Sequence, residues 1–219
     1  MFEKDEFGQK KINKSLVYAI LGVAVLIVAV SGSAYAYYAA TASNKSVTGT
    51  AGGGAAPTLT VTKENTSTGN LIPIDMTAAM LTNAAKGSGN TGTTFDAAKA
   101  CKDKNGYLVC QIYSVTVKNN SATAMNFNIG ITALSGTNTP NIDAVKMASN
   151  VSVTDITSIK SGKPAGIASA ISVGAGATSG KYYFMVFIKN LNSAQTDSGS
   201  FSGTITATST TGAQVKAQF

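Results

Sequence analysis

Histidine, tryptophan and arginine are all missing from this chain of 219 residues; its 17 basic side chains are all lysines. The missing histidine removes the usual general base, the His-Glu-x-x-His zinc site and the Ser-His-Asp triad together. What remains for catalysis is thin. No Ser-x-x-Lys stands at the start of a helical pattern. Paired carboxylates would serve a glycosidase, but the acids beyond residue 15 stand singly and read as surface or capping residues. No Asp-x-Asp-x-Asp-Gly loop offers calcium ligands. The run GTAGGGAA at 49–56 is followed by no Gly-Lys-Ser/Thr and so is not a phosphate loop. A Lys–Asn isopeptide bond needs a buried lysine, an asparagine and an acid; Lys181 is the candidate lysine, but the last strand offers no asparagine. The expectation is a protein that is not an enzyme and holds no cofactor or metal.

Charge is scarce too, at 12% of residues. Removing the first fifteen residues, with four lysines and three acids, leaves 13 basic and 7 acidic groups. Most of these lysines are scattered, with one local cluster at Lys99, Lys102 and Lys104. Nucleic-acid binding asks for clustered basic residues interleaved with stacking aromatics, so no nucleic-acid partner is expected. The mild positive balance serves solubility, or contact with an acidic glycan or cell surface.

The chain has only two cysteines, Cys101 and Cys110, separated by a segment that contains Asn105-Gly106. Asn-Gly is the strongest short signal for a two-residue type I′ hairpin turn. Counting outward from it, Lys104 faces Tyr107, Asp103 faces Leu108, Lys102 faces Val109 and Cys101 faces Cys110. The pair next to such a turn is hydrogen-bonded, so the cysteine pair falls at the closer, non-hydrogen-bonded kind of site. That is within disulfide reach. A disulfide is expected over two reduced neighbours, and the spacing is not that of a redox-active Cys-x-x-Cys.

Residues 1–15 are polar and end in Lys10, Lys11 and Lys14; LVYAILGVAVLIVAV then runs from Leu16 to Val30 without a charge. Small residues and tyrosines follow, with Ala-x-Ala sites at Ala34-Tyr35-Ala36 and Ala40-Thr41-Ala42. This is the plan of a secretory signal peptide. Read to Ala40, it is also long enough to cross a bilayer, which takes about 20 residues. Both readings put 1–15 in the cytoplasm and the rest outside, at the cell surface or beyond it, where disulfides persist. Either 16–40 is cleaved, or it holds the chain to the membrane.

Residues 41–57, rich in Gly, Ala, Ser and Thr, read as a flexible linker. The remainder, 58–219, reads as one domain large enough to bury a core. TLTVT at 58–62 alternates Thr with Leu59 and Val61. A short helix is expected after Asp75 as cap, with Met76, Met80, Leu81 and Ala84 inward and Gly87 at its end. TTFDAAKA before Cys101 suggests one further turn. Leu108, Cys110 and Ile112 share one face and Tyr113, Val115 and Val117 the other, which suggests a bulge near Ile112 or a strand passing between sheets. Met125, Phe127, Ile129, Ile131 and Ala133 alternate with polar or small residues, and VSVTDITSI from Val151 is a weaker strand. YYFMVFI at 182–188 is apolar on both faces, so Phe184, Val186, Phe187 and Ile188 are expected in a central buried strand. Phe201, Ile205 and Ala207, then Val215, Ala217 and Phe219, repeat the alternation. Short strands between Gly/Ser/Asn turns, with one or two short helices, indicate an all-β antiparallel sandwich.

Four stretches stand out together: GSAYAYYAATASN at the export segment, TLTVT followed by NLIPID, YSVTVKNNSATAMNFNIGITAL, and KYYFMVFIKNLNSAQTDSGSFSGTITATST. In this order they resemble camelysin and the TasA-type biofilm-matrix proteins. NLIPID is similar to that family's N-L-x-P-G-D, with Ile74 where Gly is usual. The likeness covers most of 55–210, and the cysteine hairpin lies outside the pattern of the best-known members. It implies a jelly-roll-like sandwich that assembles with copies of itself into extracellular fibres, the amino-terminal strand of one subunit inserting into the next. Leu59 and Val61 would then be the donated side chains, exposed in the free chain and buried on assembly. The alternative is a membrane-tethered adhesin or a module that binds a glycan or a partner, with 41–57 as a stalk.

Overall fold

The structure is a computed structural model in which residues 23, 45–48, 56–87, 89–90, 92–136, 141–160, 163–192 and 201–219 are described. The chain divides into two compact units, 1–42 and 43–219. In the first unit only Val23 is described, and it is helical. The rest of the expected export segment lies outside the described residues, as does most of the expected linker. Among the described residues no helix is long and apolar enough to cross a membrane.

Among its described residues the second unit carries ten strands and one helix. They are β1 (Lys45–Thr48), β2 (Thr58–Lys63), β3 (Pro73–Ile74), α1 (Ala78–Lys86), β4 (Cys110–Lys118), β5 (Met125–Gly136), β6 (Ile142–Met147), β7 (Ala168–Val173), β8 (Tyr182–Lys189), β9 (Phe201–Ser209) and β10 (Gln214–Gln218). One sheet runs β1-β2-β4-β8, with β6 on the other side of β8 and the two-residue β3 parallel to its end. The second sheet runs β10-β9-β5-β7, all antiparallel. From β4 to β9 every connection passes from one sheet to the other. Sequence neighbours are therefore mostly not hydrogen-bonded neighbours. The fold is mostly β, two sheets and one short helix, in a sandwich-like arrangement.

Two hydrophobic clusters lie on opposite faces of the larger sheet. Leu59, Val61, Tyr113, Val115, Val117, Phe184 and Val186 face the second sheet and pack with Phe127, Ile129, Ile131, Ile205 and Ala207. Cys110, Ile112, Met185, Phe187 and Ile188 face the other way and are covered by Leu81, Ala84 and Ala85 of α1 with Leu71, Leu108 and Val109. This explains the apolar run of β8, which is buried from Phe184 through Ile188. It also corrects the reading of Ile112. β4 is continuous; Cys110 and Ile112 enter one cluster, and Tyr113, Val115 and Val117, of the opposite parity, enter the other. No bulge is needed, because both faces of this strand are covered along its first half.

Other expectations shift by local chemistry. α1 is capped by Thr77, whose Oγ1 accepts from Met80 N at 3.2 Å, rather than by Asp75. Met80 consequently points outward and Ala85 inward. The single turn before Cys101 forms, with Asp96 Oδ1 accepting from Ala98 N at 3.0 Å. In β5 the register shifts between Ile131 and Ala133, so Leu134 rather than Ala133 reaches the core. The segment from Val151 makes only isolated bridges, at Ser152 and Ser158. The strands on either side of it, β6 and β7, escape a pattern search for different reasons: β6 is buried on both faces and interrupted by Asp143 and Lys146, and β7 is rich in small residues.

Candidate functional site

The cysteine hairpin closes differently from the two-residue turn expected of Asn-Gly. Asp103 N–H donates to Tyr107 O at 2.9 Å and Gly106 N–H to Asp103 O at 3.0 Å, leaving Lys104-Asn105-Gly106 as a three-residue loop. Asp103 Oδ1 accepts from the backbone of both Asn105, at 2.9 Å, and Tyr107, at 2.8 Å. Gly106 takes φ +84°, the left-handed position that closes a three-residue loop. The aspartate side chain, one place ahead of the loop, favours the longer closure. The register therefore moves by one: Lys102 pairs with Leu108, and Val109 N–H donates to Cys101 O at 2.8 Å. Cys101 nonetheless bonds Cys110, with Cα atoms 4.8 Å apart. Its backbone is left-handed, φ +66°, which takes its side chain out of the ladder's alternation and toward the sulfur of Cys110.

The edge of the larger sheet is built by β1 and β2. Lys45 lies opposite Val61 and Val47 opposite Leu59; on its other side β2 pairs with β4, Leu59 opposite Val117 and Val61 opposite Val115. Leu59 and Val61 are buried in the chain's own core, at 0% and 3% exposure. The expectation that they are exposed in the free chain is corrected here. Their neighbours on β4 and the second sheet, distant in sequence, offer an apolar slot, and the chain fills it itself.

Both ends of β2 are clamped by side chains that sequence reading passed over. Asn120 Nδ2 donates to Ala56 O at 2.7 Å and Thr58 Oγ1 at 3.0 Å. At the other end Glu64 N–H donates to Ile112 O at 2.8 Å, and buried Asn65 accepts from Ile112 N at 2.9 Å. Lys63 Nζ donates to Ser67 O at 2.9 Å, and burial pulls its pKa below the ordinary lysine value. Lys181 pairs with Glu64 at 2.8 Å, and that hydrogen bond raises the lysine's pKa. With its lysine half exposed, this pair contributes little stability. Asparagines placed next to strand ends were the available signal.

One buried acid was also missed. Asp143 on β6 is fully buried; its Oδ1 accepts from Ala144 N at 2.7 Å and from the Ser158 hydroxyl. Its Oδ2 meets, among the described residues, the Lys189 ammonium at 2.5 Å. The signal was a lone carboxylate inside the apolar run Ile142–Val145. Among the described residues no group of three or more His, Cys, Asp or Glu is placed to hold a metal ion. Beside the hairpin lies a cleft of about 420 Å³, with Ile72, Ile74, Met80 and Val109 as apolar lining and Lys102 and Lys104 among its polar residues.

No known protein family and no curated protein matches the chain. Among solved structures it is similar to a FixG-related protein from Vibrio parahaemolyticus, at 13% identity and a TM-score of 0.26, over 50% of this chain and 74% of that one. A family 123 glycoside hydrolase from Clostridium perfringens aligns at 11% identity and a TM-score of 0.29, over 50% of this chain and 20% of that one. Likenesses this weak carry no functional argument.

Proposed function

We propose that this is an exported, non-enzymatic structural protein of the cell surface or extracellular matrix, of the camelysin and TasA type, whose subunits polymerise by donating an amino-terminal strand. The observation that carries this reading is β1. It occupies the sheet edge and is joined to β2 by the nine residues 49–57, GTAGGGAAP. Hairpin loops usually need two to five. Nine residues span up to about 30 Å when extended, long enough for β1 to make on the β2 of a neighbour the same ladder that it makes on its own. The donor is then 45–48, and β2, with Leu59 and Val61 fixed in their own core, is the acceptor. Alternation of successive strands between the sheets supports a jelly-roll-like architecture, and the Cys101–Cys110 disulfide suits an oxidising compartment. Residues 16–40 serve as signal peptide or anchor in this scheme.

The cleft beside the hairpin favours a second reading, a membrane-tethered adhesin that binds a glycan or a protein partner. A cross-link separates the two. Ser46 and Thr60 are register partners between β1 and β2, so Ser46→Cys with Thr60→Cys tests which chain each strand belongs to. Strand donation gives a covalent ladder of oligomers on non-reducing gels, together with filaments in electron micrographs. A cross-link confined to monomers, without filaments, rejects donation.

A further inference from the structure

The chain contains five Asn-x-Ser acceptor sequences, at Asn13, Asn44, Asn65, Asn119 and Asn150. In an exported protein such a sequence is an acceptor for N-linked glycan, provided it is displayed on the surface. Three of the five asparagines are among the described residues, and their environments differ sharply.

Asn65 is 1% exposed, with its Oδ1 held by Ile112 N at 2.9 Å. The hydroxyl of its Ser67 is turned inward to Ala100 O at 2.8 Å. Asn119 is 0% exposed, and its Nδ2, the atom that would take the sugar, donates to Thr123 O at 2.7 Å, Val173 O at 3.0 Å and Gly174 O at 3.1 Å. Its Ser121 hydroxyl is bound to its own Oδ1 at 2.7 Å. A glycan at either site would displace buried contacts between strands.

Asn150 stands in a tight turn that leaves the end of β6. Ala148 N–H donates to Ser152 O at 2.9 Å, and Ser152 N–H to Ser149 O at 3.4 Å, so Asn150 and Val151 form the tip. Asn150 and Ser152 are both partly exposed, and among the described residues nothing engages the side-chain amide of Asn150 or the hydroxyl of Ser152. The base of the turn is fixed. Thr82 Oγ1 of α1 accepts from Val153 N at 3.0 Å and donates to Val153 O at 3.1 Å. The acceptor sequence thus lies at the domain surface in a turn of fixed base: Val151 is tucked inward, and Asn150 and Ser152 on either side of it are partly exposed, their amide and hydroxyl meeting no partner among the described residues.

We propose that Asn150 is an N-glycosylation site, modified on the folded, exported chain, and that Asn65 and Asn119 are excluded by burial. The proposal rests on the export reading given above. The donor class is an oligosaccharide linked to a polyprenyl phosphate or pyrophosphate. Asn150 Nδ2 forms the new bond to the anomeric carbon of the first sugar. The bond from that carbon to the lipid phosphate oxygen breaks, and the phosphate leaves with the electron pair. The amide proton passes to a base of the transferase, and nothing is oxidised or reduced.

Trypsin cuts after Lys146 and Lys160, isolating Asn150 in peptide 147–160. The protein is isolated from the cells that make it, fractionated by location, and mapped by mass spectrometry with fragmentation that retains glycans. The expected result is a saccharide mass on Asn150, with none on Asn65 or Asn119. It should vanish in Asn150→Gln and in Ser152→Ala, and persist in Ser152→Thr. An unmodified 147–160 peptide in exported, disulfide-bonded protein overturns the proposal, and so does sugar on Asn65 or Asn119. Protein found only inside the cell, with Cys101 and Cys110 reduced, shows instead that the export reading has failed, and the proposal falls with it.

Discussion

The ring of Phe219 lies against the bare Cα of Gly203, so close that a β-carbon there would stand 2.1 Å from the ring's Cζ. The two backbones are paired as well, Gly203 N–H to Phe219 O at 3.0 Å and Phe219 N–H to Gly203 O at 3.1 Å. The ring cannot simply back away, because it packs on Tyr113 at 4.8 Å and Phe184 at 5.1 Å between centroids. Gly203→Ala should therefore destabilise the domain by about 1–3 kcal/mol, the usual cost of overpacking. Phe219→Leu should relieve part of that cost, so denaturation of the two single variants and the double variant should show clear non-additivity. Additive effects would mean the ring does not occupy this slot.

The two faces of β8 belong to different cores, which gives a paired test. Phe184 serves the cluster between the sheets and Phe187 the cluster under α1. Each Phe→Ala change should cost about 3–5 kcal/mol. Hydrogen exchange should separate them. Phe187→Ala should loosen α1 and the cysteine hairpin first, and Phe184→Ala the second sheet. A near-neutral result at either position would contradict burial on both faces.

Reduction of the disulfide should weaken the domain without unfolding it. The loop it closes is short, nine positions in sequence, and closing so short a loop stabilises by about 2–3 kcal/mol. Cys101→Ser should lower the denaturation free energy by that amount. Intact mass should rise by about two protons' worth on reduction of the natural chain. Loss of all cooperative unfolding in Cys101→Ser would mean the hairpin nucleates the second core.

Leu59→Asp with Val61→Asp should collapse the thermal transition, since both side chains lie in the chain's own core. Deleting 45–48 should leave that transition close to its original position, because it removes only an edge ladder, while abolishing assembly. A melt unchanged by the double aspartate substitution would show that β2 is not a fixed part of the domain.

The alkaline limb of stability should carry the signature of Tyr113. Burial raises its pKa well above the ordinary tyrosine value of 10.0, while the unfolded chain ionises near about 10. Above that pH the native state holds a proton that the unfolded state has lost. Its contribution is therefore fully present below about pH 10 and is lost as pH rises through the folded value. Tyr113→Phe should flatten this limb. At neutral pH it should cost about 1 kcal/mol, because Tyr113 Oη donates to buried Gln111 Oε1 at 2.5 Å. An unchanged alkaline slope would place the hydroxyl in contact with solvent.

Strand content and the identity of the central strand were legible because a buried strand must be apolar, and an apolar run bounded by polar turns has few other uses. The β8 run and the apolar faces of β2 and β9 follow from side-chain chemistry at fixed spacing; the cysteines do join, but through the left-handed backbone of Cys101 and not through the facing register that the Asn-Gly turn implied. What misled was local geometry with near-equal alternatives. The turn at Asn105-Gly106 closes over two residues or three, and the carboxylate of Asp103 tips it to three. The clamps at Asn120 and Asn65 are polar residues whose partners lie 47 to 64 positions away. No pattern confined to neighbouring residues encodes such contacts.

By itself, the order of residues determined that this chain is built of short strands, that its thiols are close enough to join, and that histidine-dependent chemistry is absent. These are properties of composition and of period two. The apolar run of β8 called for cover on both faces, but only the tertiary structure decided what covers the second one: α1, the cysteine hairpin and Leu71. It also decided that β2 belongs to its own domain, because its ladder with β4 turns Leu59 and Val61 into the core between the sheets. Asn65 and Asn119 share an acceptor motif with Asn150 and differ from it only in what surrounds them. Burial is set by all the strands at once, and no residue carries it alone.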